Sequence, residues 1–170
     1  MINDRPTHLR VNLDAVLNNY RKLDKLNGLK TSLAVVKADS YGLGAKVIAD
    51  YLYKNGVRHF AVATLEEALE LKKYIKESLL LVLGVTNPKN VKYAVENNIS
   101  LTCPSKEWFE EALKELEKID GKLKLHIKLE TGMNRIGTSE VEELMEIHNL
   151  FYSEKVEFEG IFSHYSNADG

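Results

Sequence analysis

Apolar positions along this chain switch repeatedly between helical and strand spacing. From Asp14 to Leu26, the residues Val16, Leu17, Tyr20, Leu23 and Leu26 recur at helical intervals, so an amphipathic helix is predicted there, with Asp14 suited to its N-terminal end. A short strand-like lead, Leu9 to Leu13, precedes it. The run Leu33-Ala34-Val35-Val36-Lys37 then reads as a buried strand and Ala45 to Lys54 as a helix. Strand Phe60 to Ala63 is followed by helix Leu65 to Ile75, and strand Leu79 to Leu83 by helix Pro88 to Asn97. Strand Ile99 to Thr102 leads to helix Ser105 to Ile119, strand Leu123 to Leu129 to helix Glu140 to Leu150, and a sixth strand runs from Phe158 to Ser163. Thr64 and Ser105 each stand just before early carboxylates, the pattern of a hydroxyl cap at a helix start.

Strands alternating with helices imply right-handed βαβ units and a parallel sheet, hence an α/β fold. Two architectures fit: a doubly wound open sheet or a (β/α)8 TIM-type barrel. A complete barrel needs eight units in roughly 250 residues. Here six strands are counted before Gly170, so a barrel would be incomplete, with about six of its eight strand-helix units. No linker or low-complexity tract divides the chain, and residues 1–170 are expected to form one unit.

Composition narrows the function classes. The chain has 170 residues, 44% hydrophobic and 28% charged, enough to build a core. Its formal net charge is −2 with both signs interspersed, which offers no basic footprint for nucleic acid. Met1 to Arg10 is polar and the longest apolar run, Leu79 to Leu83, is too short to span a bilayer, so a cytoplasmic protein without a membrane partner is expected. The single cysteine, Cys103, has no partner for a disulfide and no clustered His for a metal site, and reads as a structural strand-end residue. No metal is expected. His8, His59 and His148 share no strand-end position and carry no role, and Trp108 falls on the apolar stripe of its helix with Leu113 and Leu116.

In α/β sheets and barrels alike, chemistry gathers at the carboxyl ends of the strands. The first strand ends in Lys37-Ala38-Asp39-Ser40-Tyr41-Gly42-Leu43-Gly44. A lysine leaving an apolar strand is costly to bury, and desolvation favours the neutral amine that attacks a carbonyl. A strand-end lysine can also reach solvent along its own stem, which for an arbitrary α/β chain is the commoner outcome. Gly42 and Gly44 permit close backbone approach before a helix whose positive end could favour phosphate, though two such glycines are often only a turn. In the fifth strand, Leu123, Leu125, Ile127 and Leu129 alternate with Lys124, His126 and Lys128, so in a barrel the three basic groups would face the interior. Buried Lys128 would then need a negative partner. The loop Glu130-Thr131-Gly132-Met133-Asn134-Arg135-Ile136-Gly137 offers a guanidinium fork to an anionic oxygen, and His164 follows the sixth strand.

Three segments together resemble the alanine racemases: Val35 to Gly44, Lys128 to Gly137, and Gly160-Ile161-Phe162-Ser163-His164-Tyr165. They stand in the family's order and span nearly the whole chain. Leu43, Glu130 and Asn134 depart from residues common there, which are histidine, aspartate and glycine. The resemblance implies a barrel that binds pyridoxal 5′-phosphate, with Lys37 holding the cofactor as a Schiff base and acting as one of two proton-transferring bases. It implies a phosphate contact for Tyr41, an apolar wall at Leu83, and Arg135 against the cofactor's phenolic oxygen and the substrate. It further implies support for Arg135 from a carbamylated Lys128, and His164 against the pyridine ring.

The same resemblance implies an isomerase interconverting L- and D-alanine for cell-wall precursors, working as a cytoplasmic homodimer. By that resemblance residues 1–170 are the N-terminal part of the barrel. The last two strands, the phosphate loops after strands seven and eight, the arginine at the pyridine nitrogen and a C-terminal β domain with the opposing tyrosine base would lie elsewhere. Two alternatives stand beside it: a non-catalytic pyridoxal-phosphate-binding barrel module, and an inactive half-barrel that self-associates through its unpaired strand edges.

Overall fold

The computed structural model describes residues 7–26, 28 and 31–168. The other positions, which include most of the polar N-terminal lead and the Gly170 at which the strand count stopped, lie outside the described residues.

Among the described residues six parallel strands form one sheet: β1 (Ala34–Val35), β2 (His59–Val62), β3 (Leu79–Val82), β4 (Ser100–Cys103), β5 (Leu123–Lys128) and β6 (Val156–Phe162). The helices are α1 (Leu13–Leu26), α2 (Ala45–Lys54), α3 (Leu65–Lys72), α4 (Val91–Glu96, entered through a 3-10 turn at Pro88–Asn90), α5 (Lys106–Leu116) and α6 (Val141–Leu150). The strand order in space is the order in sequence, from β1 to β6. A doubly wound sheet reverses direction at a switch point, and none occurs among the described strands. The architecture is therefore that of a (β/α)8 barrel with six of its strands.

Alternation within each strand explains the layering. Phe60 and Val62, Leu80 and Val82, Leu101 and Cys103, and Leu123, Leu125 and Ile127 are buried in one continuous apolar cluster with Ile48, Leu71, Ile75, Phe109, Leu116 and Ile147 from the flanking segments. The opposite face carries the polar positions expected of β5. Lys124 and His126 are half-buried, and Lys128 is only 3% exposed.

Both expected hydroxyl caps are present. Thr64 Oγ1 accepts the N–H of Glu67 at 3.3 Å and Ser105 Oγ that of Trp108 at 3.2 Å. Most strand and helix ends lie within three residues of the expected ones, but two expectations fail. Leu9 to Leu13 is no strand, because Asn12 starts α1: its Oδ1 accepts the N–H of Ala15 at 3.0 Å and its carbonyl that of Val16 at 3.2 Å. Asp14 therefore lies inside the first turn, where its carboxylate accepts the Tyr51 hydroxyl. The first strand also shrinks to Ala34–Val35, since the chain turns sharply immediately beyond Val36.

Candidate active site at the strand ends

That sharp turn presents Lys37. Ala38, Asp39, Ser40 and Tyr41 have φ between 50° and 57°, one turn of left-handed helix built from four non-glycine residues and followed by Gly42 at φ 85°. Each L-residue in this conformation costs roughly 1–2 kcal/mol, so the turn persists only because its surroundings hold it. Within it, Ser40 N–H donates to Val36 O at 3.1 Å and Gly44 N–H to Asp39 O at 2.9 Å. Asp39 Oδ1 accepts the first N–H of α2, from Ala45, at 2.7 Å. The first N–H of α2 is thus taken by a side chain of the turn that precedes it.

Lys37 is half-buried, and its Nζ lies 6.0 Å from the centre of the Tyr41 ring, which is itself exposed. A cleft of about 230 Å3 opens at the carboxyl ends of the strands, lined by Lys37, Ala63, Leu83, Gly84, Val85, Arg135 and Ile136. Three residues singled out from sequence, Lys37, Leu83 and Arg135, therefore share one cavity although they come from the ends of β1, β3 and β5.

The Arg135 loop is organised by Glu130. Its Oε1 accepts the N–H of Gly132 at 2.5 Å and its Oε2 the N–H of Arg135 at 3.3 Å. Backbone donation from Asn134 foremost holds this carboxyl down to about 2; desolvation opposes it, and the amides of Gly132, Arg135 and Met133 add to the lowering. The loop returns over Lys128 through Gly137, at φ 100°, where a Cβ would stand 2.5 Å from the Lys128 carbonyl oxygen and 2.8 Å from its Cγ. Thr131 Oγ1 donates to the carbonyl of His164 at 3.0 Å, tying the loop to the end of β6. The residue His164 is exposed and does not line the cleft.

Lys128 departs from expectation. Its Nζ donates to the Leu129 carbonyl at 2.5 Å and lies 5.8 Å from the Phe162 ring centre, and among the described residues no carboxylate pairs with it. The negative group inside the sheet serves its neighbours instead. Between Leu125 and His126 the register of β6 slips by one residue, leaving Glu159 as the extra residue of a bulge. Glu159 Oε2 lies 2.9 Å from His126 Nε2 and also accepts the Ser100 hydroxyl, while Lys124 Nζ is 3.7 Å from Oε1. Burial pushes this carboxyl up, but the hydrogen bonds from His126 and Ser100 and the charges of His126 and Lys124 outweigh it and hold it below its ordinary value.

Cys103 closes β4 fully buried, with Sγ 3.6 Å from the Ser105 carbonyl oxygen, and burial pushes its thiol up to about 12. It is chemically quiet. Sequence reasoning missed Glu67 and Glu159, whose signals were an acid three residues after a cap and an acid on an alternating strand; both patterns are also common on surfaces.

Residues 11–170 match the family described as alanine racemase, N-terminal domain. An alanine racemase of Staphylococcus epidermidis is 43% identical over 167 residues, covering 97% of this chain and 44% of that protein. The chain thus spans less than half the length of such relatives. Among solved structures, an alanine racemase from Bartonella henselae with covalently bound pyridoxal phosphate superposes with a TM-score of 0.80 at 33% identity, over 92% of this chain and 44% of that one. A histidine racemase from Leuconostoc mesenteroides superposes at 0.84 with 29% identity, over 90% and 41%.

Proposed function

The chain belongs to the alanine racemase N-terminal domain family, and from that premise we propose that it forms the cofactor-bearing part of a racemase that interconverts L- and D-alanine. The observation that carries this reading is the cleft in which Lys37, Leu83 and Arg135 meet at parallel strand ends. Its donor set suits pyridoxal phosphate: a primary amine for an aldehyde, a guanidinium for an anionic oxygen, and the uncharged walls Ala63, Leu83 and Ile136. When bound, this cofactor supplies a conjugated ring that takes up negative charge from the substrate's α-carbon.

The residues of the chain do the rest. Lys37 would hold the cofactor through its amine and would take or return a proton at the substrate's α-carbon on one face. Tyr41, beside Lys37, would contact the cofactor's phosphate. Arg135, in a loop whose shape Glu130 fixes, would donate to the cofactor's phenolic oxygen and to the substrate side. Lys128, buried and without a carboxylate partner among the described residues, is the group we assign to carbamylation, which would give Arg135 an anionic support. His164, which stands outside the cleft, would reach the pyridine ring by the family resemblance alone.

Inversion needs a second proton-transferring group on the opposite face. We place it, as a tyrosine in a C-terminal β domain, in the length that the relatives have beyond the matched part. A cytoplasmic homodimer supplying D-alanine for cell-wall precursors belongs to the same reading, and its support is family membership. A second reading, in which the substrate is another amino acid, has the histidine racemase likeness behind it. The uncharged cleft wall favours the smaller, apolar side chain.

The test is D/L exchange of alanine and of histidine by the whole polypeptide carrying this segment, against its Lys37→Ala variant. Alanine exchange should exceed histidine exchange and fall by about 10²-fold or more in the variant, the scale of a lost general base. Equal exchange in the two proteins contradicts the proposal.

A further inference from the structure

One carboxylate outside the family-like segments reaches the backbone that presents Lys37. Glu67 is the third residue of α3 and completes a capping box with Thr64. Its Oε1 accepts the N–H of Ala38 at 2.7 Å, while Oε2 accepts that of Ala63 at 2.8 Å and, at 3.4 Å, that of Thr64. A capping box satisfies donors of its own helix. This one also spans 29 positions to the residue immediately after Lys37, and holds Ala63, a wall of the same cleft.

The location of that bond is what gives it consequence. Ala38 is the first of the four left-handed residues, a conformation that non-glycine residues keep only when neighbours over-determine it. Asp39 anchors the turn to α2 through Ala45. Glu67 anchors its entry to α3 and to the end of β2, with an ionised acceptor, the stronger kind. We propose that Glu67 is a positioning residue for Lys37: by fixing Ala38 and Ala63 together it sets the backbone from which the Lys37 amine enters the cleft. What Lys37 carries rests on the proposed function; the grip on Ala38 does not.

The variants separate this role from helix capping. Glu67→Ala removes every acceptor. Glu67→Gln keeps one oxygen and gains an NH2 that cannot accept, so it cannot reproduce both of the carboxylate's grips. Thr64→Ala removes the capping hydroxyl and leaves both grips.

Amide hydrogen exchange of the cofactor-free whole polypeptide carrying this segment is read first. Ala38 and Ala63 should exchange about tenfold faster or more in Glu67→Ala, the scale of a lost hydrogen bond to a charged group, and at least one of them in Glu67→Gln. Thr64→Ala should leave both within about twofold, since those bonds persist. Pyridoxal phosphate is then added, and the rate of borohydride-trapped labelling of Lys37 should fall in the Glu67 variants and hold in Thr64→Ala.

Unchanged exchange at both amides in the Glu67 variants overturns the proposal, as does a matching loss in Thr64→Ala. Faster exchange with an unaltered Lys37 labelling rate overturns it too, because the grip would then position nothing. Should Glu67→Ala fail to fold, the near-isosteric Glu67→Gln decides. A wild-type whole polypeptide whose Lys37 takes no label sinks the proposed function instead, while amide exchange still decides whether Glu67 grips the turn.

Discussion

At the scale of single residues, two carboxylates shape the candidate site without lining the cleft. Glu67 holds the Lys37 turn and Glu130 folds the Arg135 loop around itself. The Glu130 carboxyl is held down to about 2 in the folded chain, whereas a free glutamate titrates near 4.3. A depressed carboxylate contributes order that is complete above its unfolded value and lost as pH falls through its folded value. The amide shifts of Gly132 and Arg135 should therefore titrate with a midpoint near 2, and the Glu130→Gln variant should show no such step. A midpoint near 4.3 would contradict the nest of backbone donors described here.

Legibility at this scale was uneven. Lys37 and Arg135 stood out through the family resemblance of the segments that hold them, since a strand-end lysine or a loop arginine alone has an ordinary surface explanation. Glu67 and Glu159 did not, since an acid in a first helical turn or on an alternating strand has an ordinary local explanation. Their partners come from elements that sequence spacing cannot bring together: Ala38 for Glu67, and Ser100 with His126 for Glu159.

Among elements, the strands and helices followed the hydrophobic period, and both failures arose where local polar bonding overrode it. Asn12 capped α1 and so ended a strand-like lead. The left-handed turn after Val36 cut β1 to two residues and replaced a simple strand-to-loop exit. No periodicity encodes four successive positive φ values at alanine, aspartate, serine and tyrosine, so this part of the site was invisible beforehand.

The return of the Arg135 loop over β5 depends on Gly137, because any side chain there meets the Lys128 carbonyl in a backbone conformation that already disfavours one. Gly137→Ala should lower stability by about 1–3 kcal/mol, measured as a reduced denaturation midpoint at unchanged slope. A midpoint equal to wild type would show that the loop does not need this close approach.

For the whole molecule, the period-two and helical patterns alone fitted both a doubly wound sheet and a barrel, and the family resemblance pointed to the barrel. Sequential strand order decides between them, and it depends on which strands neighbour in space, information that no single segment holds. The outer face of β5 and β6 beside α6 bears an apolar groove of about 510 Å3, with Phe158 and Ile161 more than half exposed. The cleft at the strand ends is smaller, yet it is where residues distant in sequence converge with complementary chemistry.

The central claim is that this convergence makes Lys37 the cofactor lysine. Its most direct test is to add pyridoxal phosphate to the whole polypeptide carrying this segment, reduce with borohydride and map the modified peptide by mass spectrometry. The account predicts a phosphopyridoxyl group on Lys37, lost in Lys37→Ala without transfer to another lysine. Label on Lys46 or Lys128 with Lys37 unmodified, or labelling that the substitution leaves unchanged, would contradict it.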